Sequence, residues 1–164
     1  MGKYTRTGRF RSRFELNISR QIVDAGAKWK YELFIFPYYS ITRYKMLCEN
    51  CGPVKGLLRR EYLPDFFLSN GVVIEAKGRF TSADRNKLRA IVKQHPKLDL
   101  RIVFQYDAKL SKTSNTRYSE WAEKEGIPWA VKKIPEEWFL HSDQAFPANK
   151  KRWRALFPAN PEIK

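Results

Sequence analysis

Apolar positions follow two rhythms along this chain, helical spacing in some stretches and short continuous runs in others. Phe14, Ile18, Ile22 and Val23 recur at the spacing of one helix face. Ser12, three residues before Glu15, has the form of a capping box, and Gly26 suits a C-cap, so a helix is predicted over Ser12–Ala25. Lys30–Phe36 (KYELFIF) is aromatic and β-branched, which predicts a strand. From Pro37 to Glu61 the pattern breaks up around Gly52, Pro53 and Gly56, and an irregular connection is expected, overlong for a compact domain. Leu63–Leu68 and Val72–Lys77 flank Ser69-Asn70-Gly71 and predict a hairpin, with Asn-Gly supplying the positive-φ positions.

Beyond the hairpin, Leu88, Ile91 and Val92 give an inward face to a helix over Ser82–Gln94, and Leu100–Gln105 (LRIVFQ) predicts a buried strand. A short helix over Arg117–Lys124 stops at Gly126, a strand follows over Pro128–Val131, and Pro135–Phe139 predicts a helical turn opened by proline. The order helix, strand, hairpin, helix, strand, helix, strand predicts a mixed α/β domain, its sheet flanked by helices.

Charge changes the picture more than composition does. In 164 residues, 32 Lys and Arg stand against 17 Asp and Glu, a formal +15. Such self-repulsion points to a polyanionic partner, nucleic acid before an anionic membrane surface. No apolar run approaches the roughly 20 residues of a membrane span, and the first residues lack a signal-peptide core, so a soluble cytoplasmic protein is expected. Residues 1–13 carry Lys3, Arg6, Arg9, Arg11 and Arg13 without an acid and predict a flexible basic arm. Residues 141–164 form a basic C-terminal extension around Lys150-Lys151-Arg152-Trp153-Arg154, leaving 14–140 as the domain proper. Trp153 is the one tryptophan expected as a stacking platform, and His95 is expected as a helix cap or surface residue. Cys48 and Cys51 form a single C-x-x-C. They are read either as reduced thiols or as half of a four-thiolate zinc site shared between two subunits.

Three ionisable groups interrupt the hairpin. Glu75 and Lys77, two apart on a strand, share a face, and the turn brings Asp65 of the preceding strand toward them. One reading is a surface ion pair beside an aspartate that ends a turn. The other starts from Val72-Val73-Ile74, which implies burial: two converging carboxylates repel unless a cation lies between them. Oxygen-only ligands suit Mg²⁺ or Mn²⁺, and a neighbouring lysine offers a charge to a phosphate or an attacking water. In a basic protein that set points to metal-assisted phosphodiester hydrolysis.

P-D followed by E-x-K resembles the PD-(D/E)xK nuclease superfamily, whose core has the element order predicted above. The match extends further. FRSRFE (Phe10–Glu15), YLPDFFLSNG (Tyr62–Gly71), EAKG (Glu75–Gly78), QHPKLDLRIVF (Gln94–Phe104) and IPEEW (Ile134–Trp138) resemble the phage endonuclease I family, Holliday-junction-resolving enzymes of small lytic tailed phages. The likeness weakens over Tyr39–Arg60 and past His141.

The resemblance implies a restriction-endonuclease-like core in a strand-swapped homodimer, with an inter-subunit bridge near residues 37–62. It implies two divalent metals, Mg²⁺ or Mn²⁺, per active site: Asp65 as ligand and bridge, Glu75 and the Ala76 carbonyl on one ion, Glu15 on the other. Lys77 would activate the water or stabilise the phosphate. Glu15 thus has two readings, helix cap and metal ligand. The expected substrate is branched DNA, met in the cytoplasm of an infected bacterium, with no membrane and no small-molecule cofactor. Arg6, Arg9, Arg11, Arg13, Arg79, Arg85 and Lys87 are candidates for following DNA phosphates, or else ordinary solvated charges. A restriction- or repair-type duplex nuclease and a non-catalytic basic nucleic-acid-binding protein are the alternatives.

Overall fold

The structure, a computed structural model, describes residues 10–48, 52–158 and 162–163. Helix α1 (Arg13–Asp24) begins where Ser12 caps it, its hydroxyl accepting from Glu15 N. The chain continues through β1 (Trp29–Tyr31), β2 (Phe34–Cys48), β3 (Gly52–Tyr62), β4 (Phe66–Leu68), β5 (Val73–Lys77), α2 (Ser82–Gln94), β6 (Leu100–Phe104), α3 (Tyr118–Lys124) and β7 (Trp129–Val131). A 3₁₀ turn (Glu136–Phe139), helix α4 (Lys150–Leu156) and β8 (Glu162–Ile163) follow. The expected mixed α/β fold is what forms, and its helices and hairpin lie within a few residues of their predicted places.

A five-stranded sheet in the order β1-β4-β5-β6-β7 carries the centre of the molecule. Its first three strands are antiparallel neighbours, and β5, β6 and β7 run parallel. Alternation along the strands divides two cores. Phe66, Leu68, Ile74, Ala76 and Val103 face Ile18 and Ile22 of α1. Phe67, Val73, Ile102 and Phe104 face Leu88 and Ile91 of α2. Among the described residues no helix is long and apolar enough to cross a membrane.

Two expectations are corrected. The strand over Lys30–Phe36 is broken at Glu32, whose φ of 47° turns the chain out of the five-stranded sheet and into a second one. The irregular connection over 37–61 is instead a long antiparallel hairpin of β2 and β3, in register from Phe36↔Tyr62 to Cys48↔Gly52 with one shift between Ile41 and Lys45. Its prolines misled because proline is compatible with a strand whose neighbouring edge is open. Among the described residues β3 borders β2 alone, and β8 pairs with β2 at Phe34 and Ile35. The side-chain amide of Gln94 seals part of that open edge, accepting from Tyr39 N and donating to Tyr39 O, each at 2.8 Å. His95 is the C-cap of α2, and its Nε2 lies 2.7 Å from the Pro37 carbonyl oxygen.

The described part of the C-terminal segment packs into the domain. Phe157 is fully buried, its ring 5.3 Å from both Phe34 and Phe67, while Trp153 packs edge-on against Phe34 and beside Phe146. Trp153 is therefore a packing residue in this structure. The turn between β4 and β5 has Gly71 at φ 92°, and a Cβ there would stand 2.8 Å from the Leu156 carbonyl oxygen. Conformation and the approach of α4 both favour glycine at this position.

Candidate active site

Asp65 is fixed by backbone before its side chain acts. Its carbonyl accepts from Glu32 N at 3.0 Å, and its Oδ2 accepts from Ala76 N at 2.8 Å. The β4–β5 register pairs Phe66 with Ile74, so one further step sets Asp65 opposite Glu75. Both side chains are buried. Burial, and then the Glu75 charge, raise the Asp65 carboxyl well above its usual range; the Ala76 amide works against them, and Glu15 adds to the rise.

Glu75 is gripped from two sides. The buried Tyr62 hydroxyl donates to Oε2 at 2.7 Å, and Lys77 Nζ pairs with Oε1 at 2.8 Å, confirming that Glu75 and Lys77 share a face. Burial and Glu75 hold the Tyr62 phenol well above its ordinary value, so it is a donor at neutral pH. Burial also works against the Lys77 charge, but Glu75, Asp84 and Asp65 outweigh it and keep the ammonium protonated.

Glu15 approaches from α1. Its Oε1 accepts from Ser12 Oγ at 3.0 Å, and its Oε2 accepts from Arg11 N at 3.0 Å and Tyr31 Oη at 2.7 Å. The cap reading holds, and the same carboxylate lies close enough to act on Asp65. Burial and Glu15 raise the Tyr31 phenol above its usual range. The fold therefore brings Glu15, Asp65, Glu75 and Lys77 to one end of the sheet, within a single chain.

Of the expected phosphate-following residues, Lys87 reaches the cluster. Its Nζ lies 4.0 Å from Glu75 Oε1 and 5.2 Å from the Tyr62 ring centroid. Arg85 is turned back to the Phe80 carbonyl at 3.0 Å. Arg11 pairs with Glu32, while Arg13 and Arg79 are exposed. Arg6, Arg9 and Cys51 lie outside the described residues, as does the side chain of Cys48.

The donor type suits a hard divalent cation, because the carboxylates of Glu15 on α1 and Glu75 on β5 both act on an Asp65 carboxyl that burial and like charge destabilise as an anion. Among the described residues, however, no three or more acids, histidines or cysteines stand at metal-holding separations. Each carboxylate is instead closed by its own partners: the cap and Tyr31 on Glu15, the Ala76 amide on Asp65, Tyr62 and Lys77 on Glu75. Sequence reasoning missed Tyr31, Tyr62 and Asp84. Tyr62 opens the run YLPD, and Thr81-x-x-Asp84 has capping-box form just after the lysine; neither signal says that the side chain meets a carboxylate or an ammonium.

A family profile for phage endonuclease I matches residues 1–155, reaching into α4 and beyond the point where the resemblance was expected to weaken. Endonuclease I of Escherichia phage T7 is 39% identical over 143 residues, covering 87% of this chain and 86% of that protein. Endodeoxyribonuclease 1 of Enterobacteria phage T3 is 43% identical over 127 residues, covering 77% of this chain and 74% of that one.

Proposed function

Given that the chain belongs to the phage endonuclease I family and is an endonuclease, we propose that it resolves four-way and branched DNA junctions by divalent-metal-dependent phosphodiester hydrolysis at the Glu15–Asp65–Glu75–Lys77 cluster. The observation that carries this reading is the burial of Asp65 against Glu75, with a protonated lysine 2.8 Å from the second carboxylate. A surface ion pair needs no such burial.

Asp65, Glu75, the Ala76 carbonyl and Glu15 would hold Mg²⁺ or Mn²⁺, two ions per site. Bound there, such ions lower the pKa of water and neutralise charge on the phosphate. The protein's own contributions are separate. Lys77 presents a fixed positive charge to the non-bridging oxygens, where negative charge builds as the water oxygen bonds to phosphorus and the bond to the leaving sugar oxygen breaks. Tyr62 and Tyr31 orient Glu75 and Glu15 by one oxygen each. The exposed Arg13 and Arg79 would meet backbone phosphates, which position DNA without reading its sequence.

The homodimer belongs to the same proposal. β1 pairs with β4, β2 with β3, and α1 packs on β5, so Glu15 comes from the part of the chain before β3, and Asp65, Glu75 and Lys77 from the part after it. An exchange of that first part between two chains, with the bridge near residues 37–62, would carry Glu15 to the other chain's Asp65, Glu75 and Lys77. Ile41 and Leu57, paired across the hairpin and 66% and 68% exposed, offer apolar surface to a second copy.

The test compares a four-way junction with linear duplexes of the same arm sequences, with and without Mg²⁺. Cleavage of the junction alone, only with the metal, is expected. Equal cleavage of the duplexes favours a duplex nuclease, and binding without any cleavage favours a non-catalytic role.

A further inference from the structure

Resting on the catalytic reading of Lys77, we propose that Asp84 is its positioning residue. Two elements hold the ammonium: Glu75 Oε1 at 2.8 Å on its own strand, and Asp84 Oδ1 at 3.3 Å from the first turn of α2. Asp84 is itself immobilised by the Thr81–Asp84 capping box. Its Oδ2 accepts from Thr81 N at 2.9 Å and from Thr81 Oγ1 at 2.6 Å, and Oγ1 accepts in turn from Asp84 N at 3.2 Å. One carboxylate is thus divided between two tasks, Oδ2 for the helix and Oδ1 for the lysine.

A cap alone explains neither half of this arrangement. An N3 acid ordinarily lies in solvent at the start of a helix; the Asp84 side chain is only 22% exposed and faces a lysine that is 15% exposed. A lysine has a long, freely rotating stem, and a fixed second acceptor confines it to the end of β5. Glu75 cannot supply that confinement by itself, because the same oxygens are assigned to a metal in the working enzyme. Asp84 has no such second assignment, so its hold on Lys77 persists when Glu75 is engaged elsewhere. The consequence is an ammonium aimed at the reacting phosphate instead of at solvent.

Asp84→Asn and Thr81→Ala separate the two tasks. The asparagine carbonyl can still accept from Thr81, so the helix stays capped, but the charge facing Lys77 is gone. Thr81→Ala weakens the cap and leaves that charge. On a four-way junction, Asp84→Asn is expected to lower kcat by about 10- to 100-fold, the range for partners that orient a reactive group, with KM and junction affinity within about twofold. Thr81→Ala is expected to lower Tm and to lower kcat by less than Asp84→Asn does, because Thr81 N still holds Oδ2 and the Asp84 charge stays beside Lys77 while the lost cap falls on helix stability. Asp84→Glu, which keeps the charge on a longer stem, should fall between wild type and Asp84→Asn. A second readout needs no turnover: in protein without added metal, the Lys77 ammonium proton–nitrogen signal should be visible in wild type and Thr81→Ala and lost to solvent exchange in Asp84→Asn. Wild-type kcat in Asp84→Asn, or an unchanged Lys77 signal, overturns the proposal. If Lys77→Ala is inactive while Asp84→Asn is fully active, only the role of Asp84 falls. If Lys77→Ala also cleaves at the wild-type rate, the catalytic reading falls with it.

Discussion

The Asp65 carboxylate accepts the Ala76 backbone N–H at 2.8 Å, which ties the aspartate to the strand that presents Glu75. That bond and the Lys77 charge favour the anion but are outweighed, since burial and then Glu75 raise the carboxyl well above its ordinary 3.8. Folding therefore prefers Asp65 protonated. Its contribution to stability is full below about pH 4, near the unfolded carboxyl's own pKa, and is lost as pH rises through the raised folded value. Asp65→Asn keeps an acceptor for Ala76 N and removes the charge. In metal-free protein the variant should match wild type near pH 4 and exceed it at neutral pH by on the order of 1–3 kcal/mol, a few degrees in Tm for a chain of this size. Thermal melts across pH check this; a variant less stable than wild type at neutral pH would contradict it.

Tyr62→Phe isolates the support under Glu75. The phenol is buried and donates to Oε2, so its loss leaves a buried carboxylate oxygen short of a donor. A loss of about 1–2 kcal/mol in stability is expected. The Mg²⁺ concentration for half-maximal cleavage should rise about tenfold, because the ligand is less well oriented. A metal titration of junction cleavage measures the second effect, and an unchanged midpoint would show that Tyr62 only fills space.

How much of this was legible in the sequence follows from which interactions are local. The Ser12 cap of α1 and the turn at Asn70-Gly71 depend on residues three or four apart and lie where the pattern puts them. The Glu15 carboxylate, however, accepts from Arg11 N and not Ser12 N, and of the two turn residues Gly71 alone takes a positive φ. Asp65, Glu75 and Lys77 were readable because strand alternation and one hairpin register suffice to bring them together. The β2–β3 pairing was hidden by Pro37 and Pro53, which mark a break only if both edges of a strand are assumed to be filled. Tyr31, Tyr62 and Asp84 were not readable as site residues. Their roles depend on contacts between elements, and a tyrosine in an aromatic-rich strand or an aspartate in a capping box is already explained without them.

The C-terminal segment should prove inseparable from the domain. Phe157→Ala removes a fully buried ring wedged between Phe34 and Phe67, the latter two residues beyond Asp65. A loss of about 3–5 kcal/mol is expected, measured by urea unfolding. A change below about 1 kcal/mol, the usual limit for surface positions, would return residues 141–164 to the status of an appended tail.

Chain exchange is tested by mixing defects. If each site combines Glu15 of one chain with Asp65, Glu75 and Lys77 of the other, a doubly tagged heterodimer of Glu15→Ala and Asp65→Ala chains contains one intact site and one doubly damaged site. It should nick one strand of a junction although neither parent does. A heterodimer that binds junctions and never nicks them would mean that each site is built within one chain, as Glu15 and Asp65 are placed in the single chain.

The central claim, that the acidic cluster performs the cleavage while the basic surface supplies affinity, is tested most directly by measuring both on one four-way junction. Gel-shift affinity in Ca²⁺, which accepts oxygen ligands in a looser geometry than Mg²⁺, is compared with single-turnover cleavage in Mg²⁺ for wild type, Asp65→Ala, Glu75→Ala and Lys77→Ala. Each variant should bind within about threefold of wild type, since phosphate contacts elsewhere dominate affinity. Each should cleave at least about a thousandfold more slowly, the scale set by removing electrostatic stabilisation of a transition state. Cleavage by Glu75→Ala at the wild-type rate would contradict the assignment.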